Sequence, residues 1–178
     1  MDDVRQRGFT LIELLVVLVI IGIVISFAML SLGDGGKRDR LMEESKRLAA
    51  LIELAGDQAV MEGREWGLRI APDGYLFMVL QDGKWREVAN DHLFKARQLA
   101  NGFTLDLRMD DVAVSLTPPD KDSTDKIRDK SVEPQVFLMS SAERTPFQIV
   151  MSAPDGDPAM VIEAPPLGAL VLHEKQKP

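Results

Sequence analysis

From Phe9 to Leu32 the chain runs 24 residues in which only Thr10, Glu13, Ser26 and Ser31 interrupt apolar side chains and glycine. As an α-helix that length rises about 36 Å, enough to cross a hydrocarbon core of about 30 Å. Gly33, Gly35 and Gly36 follow, each costing roughly 1 kcal/mol relative to alanine inside a helix, so a kink or flexible joint is predicted over 33–36. Beyond it Leu41, Ser45, Leu48, Ile52, Ala55 and Ala59 recur at alternating steps of four and three. That is the stripe of an amphipathic helix over 37–62, with Glu43, Glu44, Arg47, Glu53 and Asp57 on the other face. The stripe reads as a core-facing surface under a sheet, with a partner-helix surface over Leu41 to Leu48 as the alternative.

The period then changes. "EWGLRIA", "GYLFMVLQ", "KWREVA", "FKARQLA", "FTLDLRM" and "VAVSLT" are short runs rich in aliphatic and aromatic residues, set apart by "APDG", "QDG" and "ANG" turn signals. "PQVFLMS", "TPFQIVMS", "AMVIEA" and "GALVLHE" follow, punctuated by "APDGD" and "APPLG". About ten strands at this spacing predict an α+β protein: a long N-terminal helix, membrane-spanning in its first half and amphipathic in its second, packed on a mainly antiparallel β head of two sheets. The head is expected over 37–178, its β region over 65–174. Residues 118–131, "PPDKDSTDKIRDKS", hold eight charged residues in fourteen and predict an exposed, mobile loop.

Charge and composition narrow the chemistry. The net charge is −7, of which residues 1–36 supply two arginines against four acids, and no basic stripe of the kind that binds nucleic acid is visible. Zero cysteines exclude disulfides and thiolate chemistry. His92 and His173 are isolated and stand in no metal-ligand spacing, and no nucleophile elbow, phosphate loop or dinucleotide fingerprint occurs. Asp120, Asp122 and Asp125 lack the glycine and final glutamate of a calcium loop. The sequence therefore predicts no enzyme, metal, cofactor or small-molecule substrate.

The opening stretch admits three readings. It can be a plain anchor in which Glu13 snorkels to the interface. It can be a secretory signal, with Arg5 and Arg7 before an apolar Leu14 to Ile25 and a small-x-small site at Ser26-Phe27-Ala28. Third, "RGFTLIELLVVLVIIG" resembles the class III signal of type IV prepilins and type II secretion pseudopilins. That resemblance implies a leader over 1–8, cleavage by a prepilin peptidase between Gly8 and Phe9, N-methylation of Phe9, an assembly helix over 9–32 and an assembly role for Glu13. A carboxylate buried in hydrocarbon is unfavourable unless paired, and cleavage creates an amine one turn away that a neighbouring subunit can present to it.

In the head, "EWGLRI" and "SSAERTPFQIVM" resemble the minor pseudopilin family called general secretion pathway protein H, whose second motif usually reads Ser-Gly-Glu-x-Thr-Pro-Phe. Here Ala142 stands at the glycine position. Trp66, Gly67, Glu143, Thr145, Pro146 and Phe147 carry the motif and are expected to be structural. The resemblance implies a minor pseudopilin at the tip of a pseudopilus that assists export of folded proteins. It implies a single-pass protein of the bacterial inner membrane with a periplasmic head, whose partners are other minor pseudopilins, the major pseudopilin and the prepilin peptidase. The alternative is a minor pilin of a type IV pilus, with an assembly or DNA-uptake role.

Overall fold

The structure, a computed structural model, describes residues 10–33, 35–88, 91–100, 102–116 and 133–175, without the side chains of 27–35. The leader, Phe9 and the loop expected over 118–131 lie outside the described residues, as do Asp120, Asp122 and Asp125. Two compact units, Met1–Arg38 and Asp39–Pro178, divide the chain. Helix α1 spans Leu11–Gly33 and α2 spans Gly35–Glu62, so the expected 33–36 joint falls where one helix ends and the next begins. The described side chains of α1, Leu11 to Ser26, are exposed on every side. Among the described residues no helix is long and apolar enough to cross a membrane.

The head carries ten strands among its described residues: β1 (Trp66–Ala71), β2 (Gly74–Gln81), β3 (Lys84–Glu87), β4 (Arg97–Gln98), β5 (Thr104–Met109), β6 (Val112–Val114), β7 (Val136–Leu138), β8 (Phe147–Ser152), β9 (Ala159–Ala164) and β10 (Val171–Glu174). One antiparallel sheet has the order β3-β2-β1-β7 with β4 also paired to β2; the other runs β10-β9-β8-β5-β6. The architecture is α+β with two sheets. Its tight hairpins use left-handed backbone at both turn residues, Asp82-Gly83 between β2 and β3 and Asp110-Asp111 between β5 and β6. That twist matches the flanking strands.

All six stripe residues of α2, Leu41, Ser45, Leu48, Ile52, Ala55 and Ala59, are completely buried. They join side chains of both sheets in one core, which rules out Leu41 to Leu48 as a partner surface. Ser45 donates its hydroxyl to the Met151 sulfur at 3.4 Å, so the one polar stripe residue is satisfied inside the core. "FKARQLA" is a strand only at Arg97–Gln98. Phe94 instead turns inward, its ring 4.9 Å from Trp66 and 5.1 Å from Phe77, and Arg97 reaches back to Glu44 on α2. Core packing outcompetes strand extension here. "KWREVA" and "VAVSLT" are likewise shortened, to Lys84–Glu87 and Val112–Val114.

The chain passes from one sheet to the other between β7 and β8. Met139 accepts from the Ala142 N–H at 3.0 Å and donates to the Glu143 carbonyl at 2.8 Å, closing a three-residue hairpin loop with Ala142 at φ 70°. The turn thus keeps the left-handed geometry that glycine favours although alanine occupies it. Elsewhere a glycine is demanded by space: a Cβ on Gly67 would lie 2.4 Å from Cγ and 2.7 Å from Cβ of Pro134, and 3.1 Å from the Trp85 ring.

Exchanging these two residue types gives opposite outcomes. Gly67→Ala forces a backbone-tied proline ring aside and should destabilise the head by about 2 kcal/mol. Ala142→Gly relieves a left-handed alanine and should stabilise it by about 1 kcal/mol. Thermal unfolding of both variants checks the pair; a shift of the same sign in both contradicts it. Tyr75, the single tyrosine, is a buried residue of β2, and desolvation raises its pKa above the ordinary value of about 10, against the opposing pull of Arg47 and Arg97. The folded form then holds its proton longer than the unfolded chain, so this contribution to stability is intact below about pH 10 and is lost as pH rises beyond it. Absorbance titration at alkaline pH should show phenolate forming above the free-tyrosine midpoint; a midpoint at or below it contradicts the buried setting.

Candidate functional site

At the N-terminal end the first hydrogen bonds of α1 are made by Thr10. Its hydroxyl oxygen accepts from the Glu13 N–H at 3.3 Å, and its carbonyl accepts from Glu13 and Leu14 at 3.1 and 3.3 Å. Thr-x-x-Glu is the spacing of a capping box, and a carboxylate in the first turn complements the helix dipole. Glu13 therefore sits at the start of a helix whose described side chains are otherwise almost wholly apolar and exposed. Further along, Ser26 donates to the Gly22 carbonyl at 2.8 Å, which satisfies its hydroxyl within the helix. Gly8 and Phe9 lie outside the described residues.

In the head the two motif stretches meet through a residue outside the predicted set. Glu65, directly before Trp66, accepts from the Ser140 hydroxyl at 2.8 Å and from the Ser140 N–H at 3.1 Å, clamping the β7–β8 turn to the entry of β1. Its own carbonyl accepts from Leu80 at 2.8 Å. Thr145 exchanges bonds with Phe137: its N–H donates to the Phe137 carbonyl at 3.0 Å, and its hydroxyl oxygen accepts the Phe137 N–H at 3.2 Å. That covers the outer edge of β7. Pro146, with no N–H to offer, stands at the crossing, and buried Phe147 opens β8 in the second sheet. Trp66 is buried against Phe94, and Gly67 makes room for Pro134 and Trp85. Only Glu143 and Pro146 of the six present exposed side chains.

Arg144 fastens the turn to the segment between β9 and β10, its N–H bonded to Pro166 O at 3.0 Å and its guanidinium to Gly168 O at 2.5 Å. Between that segment, the turn and the C-terminal half of α2 lies a groove of about 380 Å³, lined by Glu53, Gly56 and Asp57 of α2, Met139 and Glu143 of the turn, and Leu167 among others. Local sequence pattern could not reveal Glu65, because its partner Ser140 lies 75 residues away. The one signal was the presence of a glutamate immediately before Trp-Gly. His92 and His173 are both exposed, and among the described residues no group of three His, Asp or Glu side chains is placed to hold a metal.

Comparisons with known proteins bear on both ends of the chain. The family model for the prokaryotic N-terminal methylation motif matches residues 4–29, and that for type II transport protein GspH matches residues 44–165. Type II secretion system protein H of Pseudomonas aeruginosa is 35% identical over 155 residues, covering 85% of this chain and 87% of that one. Its counterpart in Aeromonas hydrophila is 33% identical over 157 residues, covering 86% and 84%. Among solved structures the head fold is similar to that of the minor pseudopilin EpsH from the type II secretion system of Vibrio cholerae, with a TM-score of 0.62 at 23% identity over 76% of this chain and 96% of that one. The solution structure of Escherichia coli GspH gives a TM-score of 0.57 at 19% identity, over 76% and 89%. On the family match, which takes in both head motifs and most of the strands just described, the chain belongs to the type II transport protein GspH family.

Proposed function

We propose that this protein is a minor pseudopilin: a structural subunit, not an enzyme, that is matured by a prepilin peptidase and packed into the tip of a periplasmic pseudopilus. There it assists export of folded proteins across the outer membrane. The observation that carries the reading is Glu13, a carboxylate in the capped first turn of an apolar helix, inside the matched methylation motif and four residues after Phe9. The Phe9–Leu32 run supports a single inner-membrane span with the head in the periplasm, from which the subunit is withdrawn on assembly. Its partners are other minor pseudopilins and the major pseudopilin. Cleavage after Gly8 frees an amine at Phe9, and in a bundle of such helices the amine of one subunit neutralises Glu13 of its neighbour.

A charge that is costly in the lone subunit thereby becomes a device for association and register. The helix cap at Thr10 is local and forms without a neighbour. The two roles separate in Glu13→Gln, which keeps size and hydrogen-bonding capacity but removes the charge.

Mass spectrometry of the mature protein should find N-methylated Phe9 at the N-terminus, and replacing Gly8 with a bulky residue should leave the leader uncut. A mature N-terminus at Met29 would instead establish an ordinary secretory signal. Glu13→Gln should be processed and membrane-inserted, yet recovered poorly with other pseudopilins after crosslinking, because a partner's buried amine loses its counter-charge at a cost of about 3–5 kcal/mol. Crosslinking and secretion at the wild-type level would refute the pairing.

A further inference from the structure

We infer that the groove between α2, the β7–β8 turn and the β9–β10 segment seats a segment of a different pseudopilin that carries an aliphatic side chain beside a lysine or arginine. The inference rests on the assembly reading above and adds to it the contact face and the chemistry of its occupant.

Gly56 is the first observation. It lies in the interior of α2, where glycine is the poorest ordinary residue short of proline, so an internal reason for it is expected. None exists among the described residues: a Cβ placed on Gly56 meets nothing within 4 Å, and its backbone is not in the left-handed region. Gly67 shows the contrasting case, where the chain's own atoms forbid a side chain. The space above Gly56 opens into the groove, whose floor it forms. A glycine at a position where the chain's own atoms would not meet a methyl group fits the close approach of another chain.

Charge and apolarity then define that chain. Glu53, Gly56, Asp57 and Val60 follow one another along a single face of α2, and Glu143 adds a third carboxylate to the lining. The lining holds one cation, Arg144, whose guanidinium is already hydrogen-bonded to the Gly168 carbonyl. Beside these acids Val60, Met139 and Leu167, which line the same groove, are 47, 37 and 60% exposed. An aliphatic side chain answers the apolar part and the open floor; a neighbouring cation answers the carboxylates. A second copy of this chain fits poorly. Residues 37–178 carry a net charge of −5, the chain's −7 less the −2 of residues 1–36, so one head repels a like head.

The test uses the full chain, co-expressed with the other pseudopilins, solubilised in mild detergent and purified; the readouts are partner recovered per chain and the thermal midpoint of the purified protein. Gly56→Ala should raise the midpoint by about 3 °C while lowering recovery. Gly56→Leu, which fills the floor, and Asp57→Lys, which reverses an exposed charge, should each lower recovery about tenfold or more, the latter also reducing its sensitivity to salt. Wild-type recovery by both Gly56→Leu and Asp57→Lys overturns the inference and leaves the assembly reading standing. Recovery that falls only in step with the midpoint, in all three variants, overturns it too, since Gly56 and Asp57 would then serve the fold. If the wild-type chain itself brings down no pseudopilin, the assembly reading fails and the groove inference with it.

Discussion

The head depends on one row of side chains. Leu41, Ser45, Leu48, Ile52, Ala55 and Ala59 lie along α2 with no exposed surface, and they pack into a single core with strands from both sheets. Three of the six are serine or alanine, so the helix backbone can approach the sheets closely, while the leucines and isoleucine between them supply the buried apolar area. Polar and specific ties accompany this packing: Ser45 to Met151 of one sheet inside the core, and Glu44 to Arg97 of the other at its margin. With a core shared in this way the domain needs no covalent staple, consistent with a chain that has no cysteine.

Because one helix serves both sheets, the chain must change sheets without opening the core; it does so after β4, β6 and β7, and the "SSAERTPF" stretch makes the last of these crossings. Ser140 is held by Glu65, Arg144 grips the β9–β10 segment, Thr145 covers the edge of β7, and Pro146 ends the pairing so that Phe147 can begin β8. These family-motif residues are therefore mainly a strap. What they leave at the surface is the groove, whose rim includes Met139 and Glu143 from the strap itself. If the groove is the assembly surface proposed for it, fold and assembly share this turn, and the requirements of one constrain the other.

Much of this was legible in the sequence where the physics is periodic. The step of four and three marked six of the seven buried positions of α2, missing Leu51, and the predicted runs marked all ten strands that the described residues contain. The failures are of a different kind. β4 is two residues long because Phe94 is more stable between Trp66 and Phe77 than in a ladder, a tertiary gain that no local window contains. Glu65 and Ser140, or Gly67 and Pro134, meet across more than sixty residues of chain. Gly56 falls inside the helix that the stripe predicts, and only the structure reveals the open space above it.

The central claim is that α2, both sheets and the strap between them unfold as one cooperative unit. Native-state hydrogen exchange on the full chain tests this directly, with Leu68 in β1 and Ile149 in β8 as reporters of the two sheets and Phe137, Met139 and Thr145 as reporters of the strap. All three strap amides are hydrogen-bonded, so under conditions that favour exchange through global opening they should exchange with the same free energy as the two sheet reporters. Strap amides that exchange through a lower-energy local opening, while Leu68 and Ile149 stay protected or part from each other, would contradict the account.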